Sequence, residues 1–101
     1  MSDTSIDLDP IIHAPARLRI MTTLAESLDD GDEMTFSKLR SLLDMTAGNL
    51  TTHLSKLEDA GYVVIDKAFA GRKPITYLTI SPAGRAAFRS YRTALLKLLG
   101  G

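Results

Sequence analysis

The residues best suited to chemistry lie in one run, Thr46-Ala47-Gly48-Asn49-Leu50-Thr51-Thr52-His53-Leu54-Ser55-Lys56-Leu57-Glu58-Asp59-Ala60-Gly61. Thr46 offers a hydroxyl to cap a helix and Gly61 a place to end it. Leu50, Leu54 and Leu57 recur at i, i+4 and i+7, a single narrow apolar stripe. At about 100° per residue, the face opposite the stripe carries Gly48, Thr52, Ser55 and Asp59, with Asn49 and Lys56 beside it. Apart from Asp59 that face is small, uncharged and rich in hydrogen-bonding groups, where an ordinary solvated face would mix Lys, Glu and Gln. The chemistry open to it is recognition, and its shape suits the floor of a DNA major groove. Asn49 can bond bidentately to an adenine edge, and Thr51 and Thr52 can turn a hydroxyl or a methyl to base edges. Gly48 allows close approach, and the helix start capped by Thr46 favours a phosphate.

A second group is cationic. Gly71-Arg72-Lys73 lies between two β-prone runs, with Arg72 suited to a narrow minor groove and Lys73 to a phosphate. Lys56, Lys38 and Arg40 are further candidates for the phosphate backbone.

Other chemistries find little support. With no cysteine there is no disulfide and no thiolate site. His13 and His53 fall on separate elements, a poor basis for a metal site. His53 lies beside the leucine stripe, where a hydrogen bond to backbone or phosphate is expected. Asp29-Asp30-Gly31-Asp32-Glu33 superficially resembles a calcium loop, but residues 29–40 put Gly31 third and Arg40 twelfth, which breaks the ligand array. No paired-carboxylate, nucleophile–base or phosphate-loop arrangement points to an enzyme. No metal and no cofactor is expected.

Of the 101 residues, 45% are hydrophobic and 24% charged, which fits one globular domain with a modest core. Residues 1–8 read as a flexible acidic tail in which Ile6 and Leu8 could dock, and residues 9–101 as the domain. No apolar run approaches the ~20 residues of a membrane span, and the acidic start is unlike a secretory signal, so a cytoplasmic protein without a membrane partner is expected. Net charge is zero but polarised: residues 1–36 hold eight acids and two bases, residues 37–101 ten bases and four acids. A neutral chain can thereby present a basic face.

The elements follow from period and punctuation. Asp9-Pro10 reads as a helix start that Pro15 resets, and Leu18, Met21, Leu24, Ala25 and Leu28 place the first full helix at residues 15–28. Met34-Thr35-Phe36 can make a short edge pairing. Ser37 is expected to cap a short helix with Leu39, Leu42 and Leu43 inward, and the helix of Thr46 to about Ala60 follows. Residues 62–68 and 74–80 are β-branched and aromatic, so they read as a hairpin with Phe69-Ala70-Gly71-Arg72-Lys73 as its tip. Ser81-Pro82 starts a last helix, 82–99. The fold class is α+β, mainly α: a winged helix-turn-helix with a two- to three-stranded wing and a C-terminal dimerisation helix.

The run from Phe36 to Phe88 resembles the winged-helix transcriptional regulators of the MarR and ArsR type, closest to their small single-domain branch. The likeness is carried by Leu50 through Val63, by Gly71-Arg72-Lys73-Pro74-Ile75-Thr76-Tyr77, and by Leu78-Thr79-Ile80-Ser81-Pro82-Ala83-Gly84-Arg85. It implies sequence-specific binding of double-stranded DNA by a homodimer, with the third full helix in the major groove and the wing over the neighbouring backbone or minor groove. The histidine and cysteine clusters of metal-sensing ArsR proteins are missing here. So are the long extra helices with which larger MarR proteins build a ligand pocket, and the resemblance does not extend to an effector site.

The last helix carries more apolar surface than one wing domain readily covers. Phe88, Tyr91, Leu95, Leu98 and Leu99, with Ile11 and Ile12, suit an isologous interface, although Phe88 and Tyr91 serve equally well to close a core. Such a pairing would set two reading helices about 34 Å apart on a palindromic operator, as a repressor requires. The rival to DNA binding is a winged helix devoted to protein contacts, which would have no use for Lys56 and the Arg72-Lys73 tip.

Overall fold

A computed structural model of the chain describes residues 8–100. Ile6 and the rest of the expected acidic tail through Asp7 lie outside the described residues. Leu8 does not belong to a free tail: it is half-buried and packs on the core. The start at Asp9-Pro10 is a turn and not a helix, because the Asp9 carboxylate accepts the Ile11 N–H at 2.8 Å and the Asp9 carbonyl accepts from His13 at 2.7 Å. Pro15 then opens α1 (Pro15–Ser27), which buries Ile20, Met21 and Leu24.

The acidic stretch after α1 closes into a turn around Gly31 (φ 85°), and β1 (Met34–Thr35) follows. Thr35 and not Ser37 caps α2 (Phe36–Leu43): its hydroxyl accepts the Lys38 N–H at 3.1 Å, so the helix begins immediately where the strand ends. Leu39 and Leu43 are buried as expected. Leu42 is 54% exposed, because a helix of only eight residues turns one side of its stripe past the edge of the core. The turn into α3 (Ala47–Asp59) runs through Asp44 in the left-handed region (φ 52°). It is braced by Arg40 donating to the Met45 carbonyl at 3.0 Å and by Arg19 of α1 donating to the Leu43 carbonyl at 2.7 Å.

The strands β2 (Val63–Ala70) and β3 (Lys73–Ile80) pair over their whole length, from Val63–Ile80 out to Ala70–Lys73. The tip is therefore two residues, Gly71-Arg72, and not five. Gly71 at φ 66° supplies the positive φ that a tight hairpin needs at its first central position. β1 pairs with β3 through Met34–Leu78 and Thr35–Tyr77, giving the antiparallel order β1-β3-β2.

The last helix, α4 (Pro82–Leu98), is fastened at its amino end to the end of α3. The Ser81 hydroxyl donates to the Gly61 carbonyl at 2.6 Å and accepts the Gly84 N–H at 2.9 Å, while the Ser81 N–H donates to the Tyr62 carbonyl at 3.0 Å. Gly84 is buried there, and a Cβ at this position would fall 2.1 Å from the Tyr62 carbonyl oxygen. The Tyr62 hydroxyl donates to Asp9. That hydrogen bond, with partial burial and the nearby negative charge, raises the Tyr62 phenol above the ordinary tyrosine range. Farther along, Arg85 bonds the Leu28 carbonyl at 2.6 Å and pairs with Asp30 at 3.0 Å. The core gathers Ile20, Met21 and Leu24 of α1 with Leu39, Leu50, Leu54, Leu57, Leu78 and Ile80.

Candidate nucleic-acid interface

Thr46 does what its hydroxyl predicts, accepting the Asn49 N–H at 3.1 Å and starting α3. Leu50, Leu54 and Leu57 are buried and fix the helix rotation, leaving Gly48, Asn49, Thr51, Thr52, Ser55 and Lys56 exposed together. Thr52 is partly engaged: its hydroxyl donates back to the Gly48 carbonyl at 3.0 Å, which leaves the oxygen lone pairs and the methyl free to face outward. Gly48 has no internal reason to be glycine, since nothing lies within 4 Å of an added Cβ. Gly48 stands in the first turn of α3, on its open outer side.

The exposed face is divided by its surroundings. Ala47, Thr51, Ser55 and Glu58 form one wall of a groove of about 610 Å³, with Ile65, Lys67 and Thr76 of the hairpin as the other wall and Phe36 also lining it. Lys67 and Thr76 are cross-strand partners. Neither was singled out by sequence reasoning. The period of two along β2 and β3 could have found them once the tip was known to be two residues, because the register then sets Lys67 on the same face as the buried Val63.

Arg72 and Lys73 are exposed at the tip of the same hairpin whose Lys67 and Thr76 face α3. Lys38 is not part of that groove; it lines a separate one with Ser27, Glu33 and Leu42. Among the described residues, the ion pair within 4 Å is Arg85–Asp30, and Lys56, Lys67, Arg72 and Lys73 have no carboxylate partner there. Their charge is available to phosphates. Among the described residues the His53 ring bonds a side chain and not a backbone group. Its Nδ1 lies 3.3 Å from the Arg17 guanidinium, which also donates to the Ile11 carbonyl at 2.5 Å and the Pro10 carbonyl at 3.4 Å. Among the described residues no group of three or more His, Cys, Asp or Glu side chains could hold a metal. No helix among the described residues is long and apolar enough to cross a membrane.

The apolar residues expected at a pairing surface divide in two. Ile12 and Tyr91 are corrected: both are buried in the core of the single chain, with the Tyr91 hydroxyl 2.8 Å from His13 Nδ1, so neither offers surface. The N-terminal turn folds Ile12 inward, which its sequence position alone did not indicate. Ile11, Phe88 and Leu95 are half-buried, and Leu98 and Leu99 are exposed. Phe88 and Leu95 line an open groove between α1 and α4 with Leu18, Thr22 and Arg92.

Residues 16–99 match the family model described as a winged helix DNA-binding domain. The chain is 38% identical over 63 residues to an uncharacterized protein of Methanocaldococcus jannaschii, covering 62% of this chain and 68% of that one. Among solved structures, a transcriptional regulator homologue from Pyrococcus horikoshii OT3 superposes with a TM-score of 0.80 at 32% identity, covering 90% of this chain and 86% of that chain. HlyU from Vibrio cholerae N16961 shares the fold at a TM-score of 0.60 and 22% identity, over 90% of this chain and 86% of its own. With four helices and a three-stranded wing among the described residues and an exposed third helix beside the wing, the chain belongs to the winged helix DNA-binding domain family.

Proposed function

We propose that the chain works as a homodimeric repressor that occupies a palindromic operator. The observation that carries the DNA half of this reading is the grouping of an uncharged, open α3 face with the unpaired cations of the hairpin. One strand's backbone, in this reading, passes along the groove between them, with Thr51, Ser55, Lys67 and Thr76 supplying donors and Glu58 standing as the acid on its wall. In this reading α3 enters the major groove, Asn49, Thr51 and Thr52 face base edges, and Lys56 and Lys73 hold phosphates while Arg72 reaches the minor groove. Selection of bound sequences from a random DNA pool tests it, and a two-fold symmetric consensus is the expected outcome. Enrichment of no sequence would favour a protein-binding role instead.

Arg72→Ala combined with Lys73→Ala is expected to weaken DNA binding and to flatten its salt dependence by up to about one logarithmic slope unit per lost phosphate contact. Gel-shift titrations across a salt series measure this, and an unchanged slope would place the tip away from DNA.

The homodimer rests on α4. Leu98 and Leu99, 55% and 71% exposed, follow Phe88 and Leu95 of the α1–α4 groove along the same helix, and a second copy would cover them. Leu98→Glu tests this without disturbing the core, because Leu98 is exposed in the single chain, whereas Leu95 also packs inward. Monomers by sedimentation are expected, with DNA affinity falling as the second reading helix is lost. A dimer surviving the change would move the interface elsewhere.

A further inference from the structure

Phe69 is the most exposed large apolar side chain among the described residues, at 73%. It stands two residues before the Gly71-Arg72 turn and opposite Pro74. In a strand, side chains alternate in face, so Phe69 shares a face with Val63, Ile65 and Lys67. Following that face outward, the pairs Val63–Ile80 and Ile65–Leu78 belong to the core or pack on it, and Lys67 with Thr76 lines the groove shared with α3. Phe69–Pro74 comes next, with none of the described elements over it. At about 3.3 Å per residue, Phe69 stands roughly 13 Å beyond Ile65. The face that looks into the groove beside α3 therefore ends in an aromatic ring.

Its surroundings define what could cover that ring. Residues 67–76 contain Lys67, Arg72 and Lys73 and no acid. An apolar protein partner would have no need of three cations, and a phosphate alone would have no need of a phenyl ring. The minor groove of DNA answers to both, with phosphates along its rims and deoxyribose C–H groups on its walls, and it is about 6 Å wide, narrow enough to hold a ring on both faces.

We propose that Phe69 is a DNA contact of the wing, packing its ring against the sugar walls of the minor groove that Arg72 enters, while Lys73 neutralises a flanking phosphate. The proposal rests on the DNA-binding reading above and gives the wing a second kind of contact. Pro74 backs the ring from the neighbouring strand and keeps the tip stiff. Because this contact excludes water from apolar surface and displaces no counterion, its contribution is insensitive to salt. The cations contribute the salt-sensitive part.

The test compares the wild-type chain, Phe69→Ala and the Arg72→Ala/Lys73→Ala pair by fluorescence anisotropy, on a labelled duplex that the wild type has selected from a random pool. Titrations are made at several salt concentrations, with thermal unfolding and sedimentation run in parallel. Phe69→Ala is expected to unfold at the wild-type temperature and keep the wild-type oligomeric state. It should bind about tenfold more weakly at every salt concentration, with an unchanged logarithmic slope. Wild-type affinity in Phe69→Ala overturns the proposal. So does a reduced slope, or an altered oligomeric state that would seat the ring in a protein interface. Failure of the wild type itself to select or bind any duplex overturns the DNA-binding reading on which the proposal stands, a result distinct from all of these.

Discussion

Gly84→Ala is expected to destabilise the fold by about 3 kcal/mol or more, lowering the melting temperature by roughly 12 °C or more for a chain of this length. The reason is local. A methyl group at residue 84 would sit 2.1 Å from the Tyr62 carbonyl oxygen, far inside contact distance, and the obstacle is backbone. Relief requires α4 to lift away from the α3–β2 junction. Lifting it would break the Ser81 bonds to Gly61 and Tyr62 and pull Tyr91 from the core. Gly48→Ala is the internal control. That position is also helical and opens onto free space, so the same substitution there should leave stability unchanged or raise it by up to about 1 kcal/mol. Two glycines in helices would then behave oppositely, and thermal unfolding of the two variants measures it. Equal melting temperatures would mean that α4 does not pack as described.

The second large effect is on binding. Thr52→Glu should reduce DNA affinity at least about a hundredfold, since a carboxylate placed toward phosphates and base-edge acceptors costs several kcal/mol. Thr52 is exposed and its hydroxyl is bonded within the helix, to the Gly48 carbonyl, so replacing it should leave the melting temperature near that of the wild type. Gel shifts with wild type and variant, with unfolding followed in parallel, separate the two quantities. Wild-type binding by Thr52→Glu would exclude the outer face of α3 from the groove.

Most of the architecture could be read from periodicity and punctuation. The leucine stripe of α3, its Thr46 cap, and the Ser81-Pro82 start of α4 each follow from local chemistry with few competing solutions. What the sequence concealed were effects of packing at a distance. Thr35 displaced Ser37 as the cap of α2 because pairing with Tyr77 holds Thr35 extended, which is the backbone a cap requires. The hairpin tip shrank from five residues to two because Phe69 and Pro74 continue the ladder although neither is buried. Ile12 and Tyr91 were readable only as apolar; that they face inward depends on how residues 9–14 fold back across α4, and nothing local encodes it. The reading face was visible early because exposure of small polar residues is a helical pattern. Lys67 and Thr76 were not, because their place in the groove depends on strand register.

The junction at Ser81 has a geometrical consequence for how two half-sites would be measured. It ties the carboxyl end of α3 to the amino end of α4 at one pivot. The Arg85 bonds to Leu28 and Asp30 and the Tyr91 contact with His13 hold the angle that α4 takes from there. At about 1.5 Å per residue, the 17 residues of α4 form a lever of roughly 25 Å beyond that pivot. A tilt of about 10° would move its far end by roughly 4 Å, more than one base-pair step of about 3.4 Å. In a dimer joined near Leu98, the pivot would act as the setting screw of a caliper: small changes at Gly61, Ser81 or Gly84 would retune the operator spacing without touching a residue that reads DNA.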